Sequence, residues 1–401
     1  MANNNENKIL NVPNLRFPEF SGEWVTKSIN DLAVVIGGGT PDTTVKSYWD
    51  GEIQWFTPSE IGKNKYVDSS LRTITEVGLN NSSAKLLPPN TILLSSRATI
   101  GECSLSLREC ATNQGFQCLV SKKCNVDFLY YLIQTKKKDL IRKSCGSTFL
   151  EISANEVRKI QVSVPSDVEQ QKIAELLSLI DERIATQNKI IEDLKKLKSA
   201  ISKHLFTRKD LLETTICLSE IATLRNGYAF QSSKYNALGK WKILTITNVS
   251  GERHINDEDC NCIINLPDDI QDHQVLKEGD ILISLTGNVG RVSLCKDGDY
   301  LLNQRVGLLQ LAKNVNQEFL YQILSSQKFE NSMIACGQGA AQMNIGKGDV
   351  ESYVLPYSSN GNNILWIAKI LHSYDECIIN EQRRLTLLTM QKQYLLTQMF
   401  I

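Results

Sequence analysis

The chain carries the stretch Leu86-Leu87-Pro88-Pro89-Asn90-Thr91-Ile92-Leu93-Leu94-Ser95, which leads on to Gly101 and Asn113-Gln114. The same order returns at an offset of 189 to 190 residues, as Leu276-Lys277-Glu278-Gly279-Asp280-Ile281-Leu282-Ile283-Ser284 with Gly290 and Asn303-Gln304. The two copies agree at glycines and apolar positions and differ at polar ones. This pattern is typical of one scaffold used twice with different surfaces.

The repeat continues towards the end of each half. It pairs Phe128-Leu129-Tyr130 with Phe319-Leu320-Tyr321, Cys145-Gly146 with Cys336-Gly337, Pro165 with Pro356, and Asp181-Glu182 with Asp375-Glu376. Each half is therefore one unit. A length of 401 residues suits two domains with connecting elements better than it suits a single core.

Composition narrows the class of protein. The chain has 44 basic and 44 acidic side chains, and this balance disfavours a protein that grips nucleic acid alone, because phosphate neutralisation supplies most non-specific affinity. No apolar run approaches the ~18 residues of a membrane span, and the polar N-terminus does not resemble a signal peptide. The 11 cysteines include no CxxC pair. We expect a cytoplasmic protein with reduced cysteines and no membrane partner.

Local patterning indicates an α+β fold class. The apolar runs at residues 92–94 and 281–283 predict buried strands, and glycines with Asp/Asn clusters separate short segments around them. Apolar residues at helical spacing predict short helices around residues 127–143 and 317–334.

A heptad pattern follows each of these regions. Apolar side chains recur with this period from about residue 168 to 206, and the second half keeps the same phase at an offset of 194, which predicts two coiled-coil helices. The predicted pairing residues are Ile173, Leu177, Ile180, Ile184, Gln187, Ile191 and Leu194 in the first helix and Ile367, Leu371, Ile378, Glu381, Leu385 and Leu388 in the second.

Chain connectivity predicts that these two helices pair in an antiparallel sense, with the globular domains at opposite ends of a rod. Polar residues interrupt the seam at Gln187 and Lys198 in the first helix and at Glu381 and Lys392 in the second. Gln187 and Glu381 lie near the middle of their helices, so we hypothesise that they meet and set the register. The alternative is two amphipathic helices that each pack on their own domain.

Taken together, these features resemble the specificity subunit of type I restriction-modification systems over nearly the whole chain. The resemblance includes Val12-Pro13-Asn14-Leu15-Arg16-Phe17-Pro18-Glu19-Phe20, Gly22-Glu23-Trp24, Gly39-Thr40-Pro41, Ser95-Ser96-Arg97-Ala98-Thr99-Ile100-Gly101 and Glu169-Gln170-Gln171-Lys172-Ile173. In the second half it includes Gly227-Tyr228-Ala229-Phe230 and Leu285-Thr286-Gly287-Asn288-Val289-Gly290. The second half departs from the first after Pro356, where Ser358-Ser359-Asn360-Gly361-Asn362-Asn363 replaces the Glu-Gln-Gln start of the long helix.

The resemblance implies an architecture and a set of partners. It implies a target recognition domain at residues 1–166, a conserved spacer helix at 167–207, a second target recognition domain at 208–360 and a second spacer helix at 361–401. Each recognition domain would read one half of a split sequence in double-stranded DNA. The helices would dock two methyltransferase subunits, and restriction subunits would complete the enzyme. S-adenosylmethionine, ATP and Mg²⁺ are then expected in the partner subunits and not in this chain.

Loop positions that differ between the copies are the best candidates for reading bases, because identical positions cannot distinguish two half-sites. Arg97 corresponds to Thr286, Thr99 to Asn288, Glu102 to Arg291, and Gly115 to Arg305. Arginine can bond a guanine edge and asparagine an adenine edge with two hydrogen bonds, worth ~1–3 kcal/mol of discrimination. The leading candidates are Arg97, Asn288, Arg291 and Arg305, with a surface arginine or a turn asparagine as the alternative.

Other polar residues are candidates for backbone contacts. Gln114 and Gln304 are shared by the copies, so we expect them to be structural or to touch the DNA backbone. Gln338 and Gln342 belong to a glycine-rich segment that could lie against a groove or form an ordinary surface loop. A basic helical face could contact phosphates or be simply solvated, and its members are Lys136, Lys137, Lys138, Arg142 and Lys143.

The sequence shows no catalytic or metal-binding motif. Leu87-Pro88-Pro89-Asn90 has the prolines of a base-amine methyltransferase motif but neither flanking partner, and the glycines at residues 37–39 lack the Gly-Lys-Ser/Thr ending of a phosphate loop. The four histidines show no metal spacing with the cysteines. We expect a chain that is not itself an enzyme. Two alternatives are a DNA-modifying or DNA-cutting enzyme with unrecognised active residues and a coiled-coil adaptor without nucleic-acid function.

Overall fold

The structure is a computed structural model that describes residues 10–146, 150–337 and 343–401. The chain forms two compact units, Met1–Asn188 with Arg384–Ile401, and Lys189–Arg383. We call them unit 1 and unit 2. Each combines one sequence repeat with a part of each long helix.

Unit 1 holds the first copy of the repeat. Its strands are β1 (Val25–Ser28), β2 (Ala33–Gly37), β3 (Trp49–Phe56), β4 (Tyr66–Val67), β5 (Arg72–Ile74), β6 (Ile92–Leu94), β7 (Cys103–Ser106), β8 (Cys110–Thr112), β9 (Gln117–Ser121) and β10 (Gln161–Val164). Its helices are α1 (Ile29–Leu32), α2 (Glu76–Asn80), α3 (Val126–Thr135), α4 (Lys137–Arg142), α5 (Ala154–Lys159) and the first part of α6 (Asp167–Leu205).

Three sheets organise the strands of unit 1. The largest has the order β2-β9-β6-β7-β4, a second has the order β5-β3-β8, and β1 pairs with β10. The strand predicted at residues 92–94 is β6, which is fully buried at the centre of the largest sheet. Its side chains share a hydrophobic core with α3 and α6, represented by Leu94, Phe128 and Leu177. The loop that follows β6, which we call the recognition loop after the expected role of its residues, therefore begins at a strand held in this core.

Unit 2 holds the second copy. Its strands are β11 (Thr214–Cys217), β12 (Ala222–Asn226), β13 (Trp241–Leu244), β14 (Asn261–Ile263), β15 (Ile281–Ser284), β16 (Val292–Leu294), β17 (Tyr300–Leu302), β18 (Val306–Leu311) and β19 (Val354–Tyr357). Its helices are α7 (Gln317–Leu324), α8 (Gln327–Gly337), α9 (Lys347–Glu351), the second part of α6 and the first part of α10 (Gly361–Gln398).

The sheets of unit 2 reproduce those of unit 1. The order β12-β18-β15-β16 matches β2-β9-β6-β7, and β14-β13-β17 matches β5-β3-β8, with β13 parallel to β17 as β3 is parallel to β8. The pair β11-β19 matches β1-β10. The sequence repeat is therefore a structural repeat, and the predicted α+β class is confirmed.

Two long helices connect these elements, as the heptads predict. Helix α6 begins in unit 1 and ends in unit 2, whereas α10 begins in unit 2 and ends in unit 1, so they run in opposite senses. The predicted seam residues are buried at Ile173, Leu177, Ile180, Gln187, Ile191, Ile367, Leu371 and Ile378 and half-buried at Ile184, Leu194, Glu381, Leu385 and Leu388. The meeting of Gln187 with Glu381 stays a prediction.

The seam also packs onto the globular cores. In unit 1, Ile173 and Leu177 of α6 share one core with Leu395 of α10, with Met399 directly after α10 and with Phe128 of α3. In unit 2 the core includes Leu205, Ile367 and Leu371. The apolar stripe of each long helix thus packs against a globular domain as well as against the other long helix. Both readings of the heptads, helix pairing and packing on a domain, therefore apply.

The lysines that interrupt the seam have acidic partners on the other long helix. Within unit 1, Lys392 Nζ of α10 lies 2.7 Å from Asp181 Oδ1 of α6. Within unit 2, Lys198 Nζ of α6 lies 2.6 Å from Asp375 Oδ1 of α10. Both pairs are related by the repeat, so each lysine that interrupts the heptads belongs to a cross-helix ion pair.

The helical regions expected around residues 127–143 and 317–334 each divide into two helices. Lys136 closes α3 with its backbone N–H bonded to Ile133 O, and α4 begins at the next residue. In unit 2, Ser325 closes α7 before α8 begins. The basic cluster of residues 136–143 lies on α4, with Lys136 as its N-cap and Lys143 as its C-cap, and its contact with phosphates stays a prediction.

The two long helices start differently, as the sequences after Pro165 and Pro356 suggest. At the start of α6, buried Glu169 accepts hydrogen bonds from Arg16 Nε (2.7 Å) and Arg16 Nη2 (2.8 Å), which fixes the N-terminal segment. At the start of α10, Glu213 Oε1 accepts from Ser359 N at 2.6 Å. Hydrogen bonds from its own backbone, from the Ser358 side chain and from Ser359 lower the pKa of Glu213 to about 2.

Candidate nucleic-acid interface

The loop after β6 in unit 1 lies beside the Asn113-Gln114 segment. Ser96 N donates to Gly115 O at 2.8 Å, which joins the two segments. Ala98 and Thr99 are exposed, and Ala98 adopts a left-handed φ of 56° that turns the loop back towards β7. Thr99 Oγ1 donates to Ser95 Oγ at 3.1 Å. The loop is thus a tight turn with a short exposed crest.

Arg97 lies on this crest but already has a carboxylate partner. Its Nη2 is 2.8 Å from Glu151 Oε2, and the backbones of the two residues form an isolated β-bridge. The Arg97 side chain is 43% exposed. Arg97 could contact DNA only together with Glu151, or after exchanging this carboxylate for a base or phosphate.

The Asn113-Gln114 segment divides into a structural and an exposed residue. Asn113 Oδ1 accepts from Gly115 N at 2.8 Å, which closes the turn. A Cβ at Gly38 would lie 1.9 Å from Asn113 O, so only glycine permits this approach. Gln114 is exposed, and its Oε1 accepts a hydrogen bond from Thr40 Oγ1. Gln114 and Thr40 therefore form one polar pair at the edge of the recognition loop.

Unit 2 builds the same surface with other side chains. Leu285 N donates to Arg305 O at 3.0 Å, and Gly287 N donates to Met343 O at 3.1 Å. Thr286 is half-buried, and its backbone pairs with Asn344 in an isolated β-bridge. Asn303 Oδ1 accepts from Arg305 N at 3.2 Å, as Asn113 does from Gly115 in unit 1. The scaffold is therefore the same in both units.

Three exposed side chains on this surface of unit 2 are open to a ligand. Asn288, Gln304 and Arg305 are all exposed, and across the three described ranges their side chains form no hydrogen bond or ion pair. Like Gly38, Gly227 permits close backbone approach, because a Cβ there would lie 2.2 Å from Asn303 O. Asn288 and Arg305 are therefore the predicted readers whose polar groups are best placed for a base edge.

Arg291 lies in a different environment. Its Nε is 3.5 Å from Glu330 Oε1, and the aliphatic carbons of its side chain lie beside Gly251. The corresponding residue of unit 1, Glu102, forms an ion pair with Lys137. In each copy this loop position thus pairs with an oppositely charged side chain of a short helix, Lys137 of α4 or Glu330 of α8. The difference between Glu102 and Arg291 is therefore explained by an ion-pair partner within each unit, without a contact to a DNA base.

Most of the basic cluster of unit 1 is engaged. Lys136 Nζ donates to Ile401 O at 2.6 Å, and burial lowers the pKa of Lys136. Arg142 pairs with Asp139 at 2.7 Å, and Lys143 lies 3.9 Å from Glu156. Lys138 is exposed and forms no ion pair with any residue that the structure describes. It is the lysine of this cluster that is most available to a phosphate.

Two predicted contacts, Gln338 and Gln342, lie outside the described residues. The residues that follow them, Met343 and Asn344, run beside the recognition loop of unit 2 through the backbone contacts given above. The prediction for Gln338 and Gln342 stays a prediction.

Three further features of the described residues bear on function. They are the grouping of metal-binding side chains, the protonation of the cysteine thiols and the apolar character of the helices. Among residues 10–146, 150–337 and 343–401, no three His, Cys, Asp or Glu side chains are grouped so that they could hold a metal ion. Burial raises the pKa of Cys103 and Cys118 to about 12, so these thiols are protonated at neutral pH. In the part of the chain with described coordinates, no helix combines the length and apolar character that a membrane crossing needs.

Comparison with known proteins places both repeats in one class. The family model of the type I restriction modification DNA specificity domain matches residues 21–196 and 213–390. The chain is 39% identical over 189 residues to the type I restriction enzyme MjaIX specificity subunit of Methanocaldococcus jannaschii, covering 46% of this chain and 44% of that protein. It is 31% identical over 206 residues to the EcoR124I/EcoR124II specificity subunit of Escherichia coli, covering 49% and 50%. The chain spans no more than half the length of either relative.

Solved structures share the fold over nearly the whole chain. The S subunit of a type I restriction-modification system from M. genitalium superposes with a TM-score of 0.58 at 18% identity, covering 97% of this chain and 99% of that one. A chain from a structural study of the complex assembly and conformational transition of a type I R-M system superposes with a TM-score of 0.59 at 15% identity, covering 94% and 97%. At these identities the likeness concerns the fold alone.

Proposed function

The chain belongs to the type I restriction modification DNA specificity domain family, and from this premise we propose that it selects a split sequence in double-stranded DNA for partner subunits. Unit 1 reads one half of the sequence and unit 2 reads the other. The chain is the recognition component and leaves the chemistry to its partners.

One observation carries this proposal: a duplicated recognition loop keeps its backbone and changes its exposed side chains. The backbone bonds Ser96 N to Gly115 O and Leu285 N to Arg305 O hold the same two segments together in both units. On this shared frame, unit 1 exposes Thr99 where unit 2 exposes Asn288. Two readers built on one scaffold with unlike polar groups suit two unlike half-sites.

In unit 2, two exposed side chains can form hydrogen bonds directly with DNA bases. Asn288 can bond an adenine edge, and Arg305 can bond the O6 and N7 atoms of guanine. Both side chains are exposed and have no partner within the described residues. In unit 1, the side chains of Thr99, Gln114 and Arg97 already have polar partners within the protein. We therefore expect water or neighbouring loop residues to contribute to base recognition by unit 1.

The charge balance of the chain supports a model in which partner subunits share in binding the DNA backbone. Its 44 basic and 44 acidic side chains give no net positive charge, and most of the basic cluster around Lys136 is paired internally. Lys137, Lys138 and Gln304 supply few phosphate contacts by themselves. Most of the salt-dependent affinity should then come from partner subunits.

The proposed partners follow from the named relatives, which are specificity subunits of type I restriction enzymes. Two methyltransferase subunits and the restriction subunits would bind this chain in the cytoplasm. S-adenosylmethionine, ATP and Mg²⁺ would be bound by those subunits. The chain itself would contribute no catalytic residue.

The experiment is a methyl-transfer assay with purified components. The chain alone, with S-adenosylmethionine and DNA, should transfer no methyl group, and transfer should begin when the methyltransferase encoded beside it is added. Methyl transfer by the chain alone would instead support an enzyme in its own right. Normal binding of the methyltransferase without any DNA selectivity would support an adaptor.

A further inference from the structure

Each unit contains a partly buried polar network where its globular part meets the long helices. In unit 1, joint 1 consists of Lys65, Asp127, Tyr131, Asp181 and Lys392. Lys65 Nζ lies 2.6 Å from Asp127 Oδ1, and Tyr131 Oη donates to Asp181 Oδ2 at 2.7 Å. Lys392 Nζ completes the network at 2.7 Å from Asp181 Oδ1. Lys65 Nζ also donates to Ser178 Oγ of α6 at 2.6 Å.

Joint 2 in unit 2 consists of Arg253, Glu318, Gln322, Asp375 and Lys198. Arg253 donates two hydrogen bonds to Glu318, at 2.8 and 2.6 Å, and a third to Asp375 Oδ2 at 2.9 Å. Gln322 Nε2 donates to Asp375 Oδ2 at 2.6 Å, and Lys198 Nζ lies 2.6 Å from Asp375 Oδ1. Three connections match those of joint 1, namely Arg253–Glu318, Gln322–Asp375 and Lys198–Asp375, whereas the Arg253–Asp375 contact is specific to joint 2.

The two joints agree on the helix side and differ on the domain side. Asp181 and Asp375 are equivalent, as are Lys392 and Lys198, so both long-helix partners are identical in the two copies. The domain partners change together, since Lys65, Asp127 and Tyr131 become Arg253, Glu318 and Gln322. The longer carboxylate faces the forked guanidinium, which it can bond bidentately. The three residues that each domain contributes to its joint therefore differ between the two copies as a group.

Burial argues that these joints control geometry more than stability. The side chains of Lys65 and Asp181 are 7% and 15% exposed, and those of Arg253 and Asp375 are 10% and 8% exposed. Desolvating two charges offsets most of the attraction between them, so a buried ion pair adds little net stability over an apolar pair. A fully satisfied network nevertheless favours one arrangement of its members, because any shift leaves a buried charge unpaired.

We propose that joints 1 and 2 fix the orientation of each reading domain on the long helices and thereby select the gap between the two half-sites. This inference rests on the proposed function and assigns these ten side chains as positioning residues. DNA turns by one helical repeat in ~10 base pairs, so a change of one base pair in the gap rotates one half-site away from its reader. A reader held firmly in place rejects such a site.

The test neutralises a joint without leaving an orphan charge. Asp181→Asn with Lys392→Met keeps the shapes of both side chains and retains the Lys65–Asp127 pair. The complete complex with its methyltransferase subunits would be given duplexes that carry both half-sites at the native gap, one base pair shorter and one base pair longer. We expect the preference for the native gap to fall about tenfold. Asp375→Asn with Lys198→Met should act in the same way.

The matched control is Glu192→Gln with Lys196→Met, which removes an exposed ion pair of α6 at 2.6 Å. It should leave the gap preference unchanged. If the Asp181 and Lys392 double variant does not fold, Tyr131→Phe removes the hydroxyl that donates to Asp181 and Ser178 and accepts from Lys65, and it should lower the preference about threefold.

Two results would overturn the proposal. One is an unchanged gap preference in a folded joint variant, and the other is an equal loss of methylation at all three gaps, as a merely structural role predicts. Failure of the native complex to methylate any split site would instead contradict the proposed function.

Discussion

At the scale of single residues, what surrounds a polar side chain decides whether it can read DNA. Arg97 and Arg291 look equivalent to Arg305 in the sequence, yet each of them faces a carboxylate, Glu151 or Glu330. Arg305 has no such partner in the described ranges. The repeat could identify the loops, but it could not reveal these carboxylates, because they lie on distant segments that differ between the copies.

Joint 2 gives a residue-level prediction about pH. Burial raises the pKa of Glu318, but hydrogen bonds from Arg253 and Gln322 outweigh it, and the pKa of Glu318 lies below its usual value. Asp375 and His372 are the other charged or titratable side chains near it. A lowered pKa stabilises the fold above the unfolded value of ~4.3, and this stabilisation is lost as the pH falls through the folded value.

We therefore expect Glu318→Gln to reduce the free energy of unfolding by about 1–3 kcal/mol at pH 7. The difference from the native chain should shrink as the pH falls below about 4.5. Thermal unfolding at several pH values measures this, with Glu192→Gln on the exposed face of α6 as a control that should change little. A difference that stays constant down to pH 3 would contradict the assignment.

At the scale of elements, periodicity predicts the long helices well and the short helices less well. The heptads fix α6 and α10 because an apolar stripe sustained over many turns has no other use than burial. They do not show that Leu395 and Met399 enter the core of unit 1, since that contact joins residues far apart in the chain. They also treat Lys198 and Lys392 as interruptions, whereas each is part of a cross-helix pair.

The middle of the helices offers a test of the seam. A polar residue in a coiled-coil seam sets register at a cost in stability, so Gln187→Leu with Glu381→Leu should raise the melting temperature. A gain of 1 kcal/mol corresponds to about 2–4 °C for a domain of this size. Glu175→Leu on the exposed face of α6 is the control and should give no gain. A lower melting temperature in the double variant would contradict a seam role for these two residues.

At the scale of the whole molecule, duplication is the property that the sequence reveals most completely. The offset of 189 to 190 residues predicts two units with one topology, and the sheet orders of unit 1 and unit 2 agree. The joints could not be predicted, because each combines a loop residue, one short helix and both long helices. Lys65 and Lys392, for example, belong to one network from opposite ends of the chain.

The central claim is that the two units read separate halves of one DNA sequence. Mapping methylated adenines genome-wide tests it in cells that carry the native chain or the Asn288→Ala and Arg305→Ala double variant. We predict that the variant relaxes one or two base pairs within a single half-site, each worth ~1–3 kcal/mol, while the other half-site and the gap stay the same. Relaxation of both half-sites, or an unchanged methylated sequence, would contradict the claim.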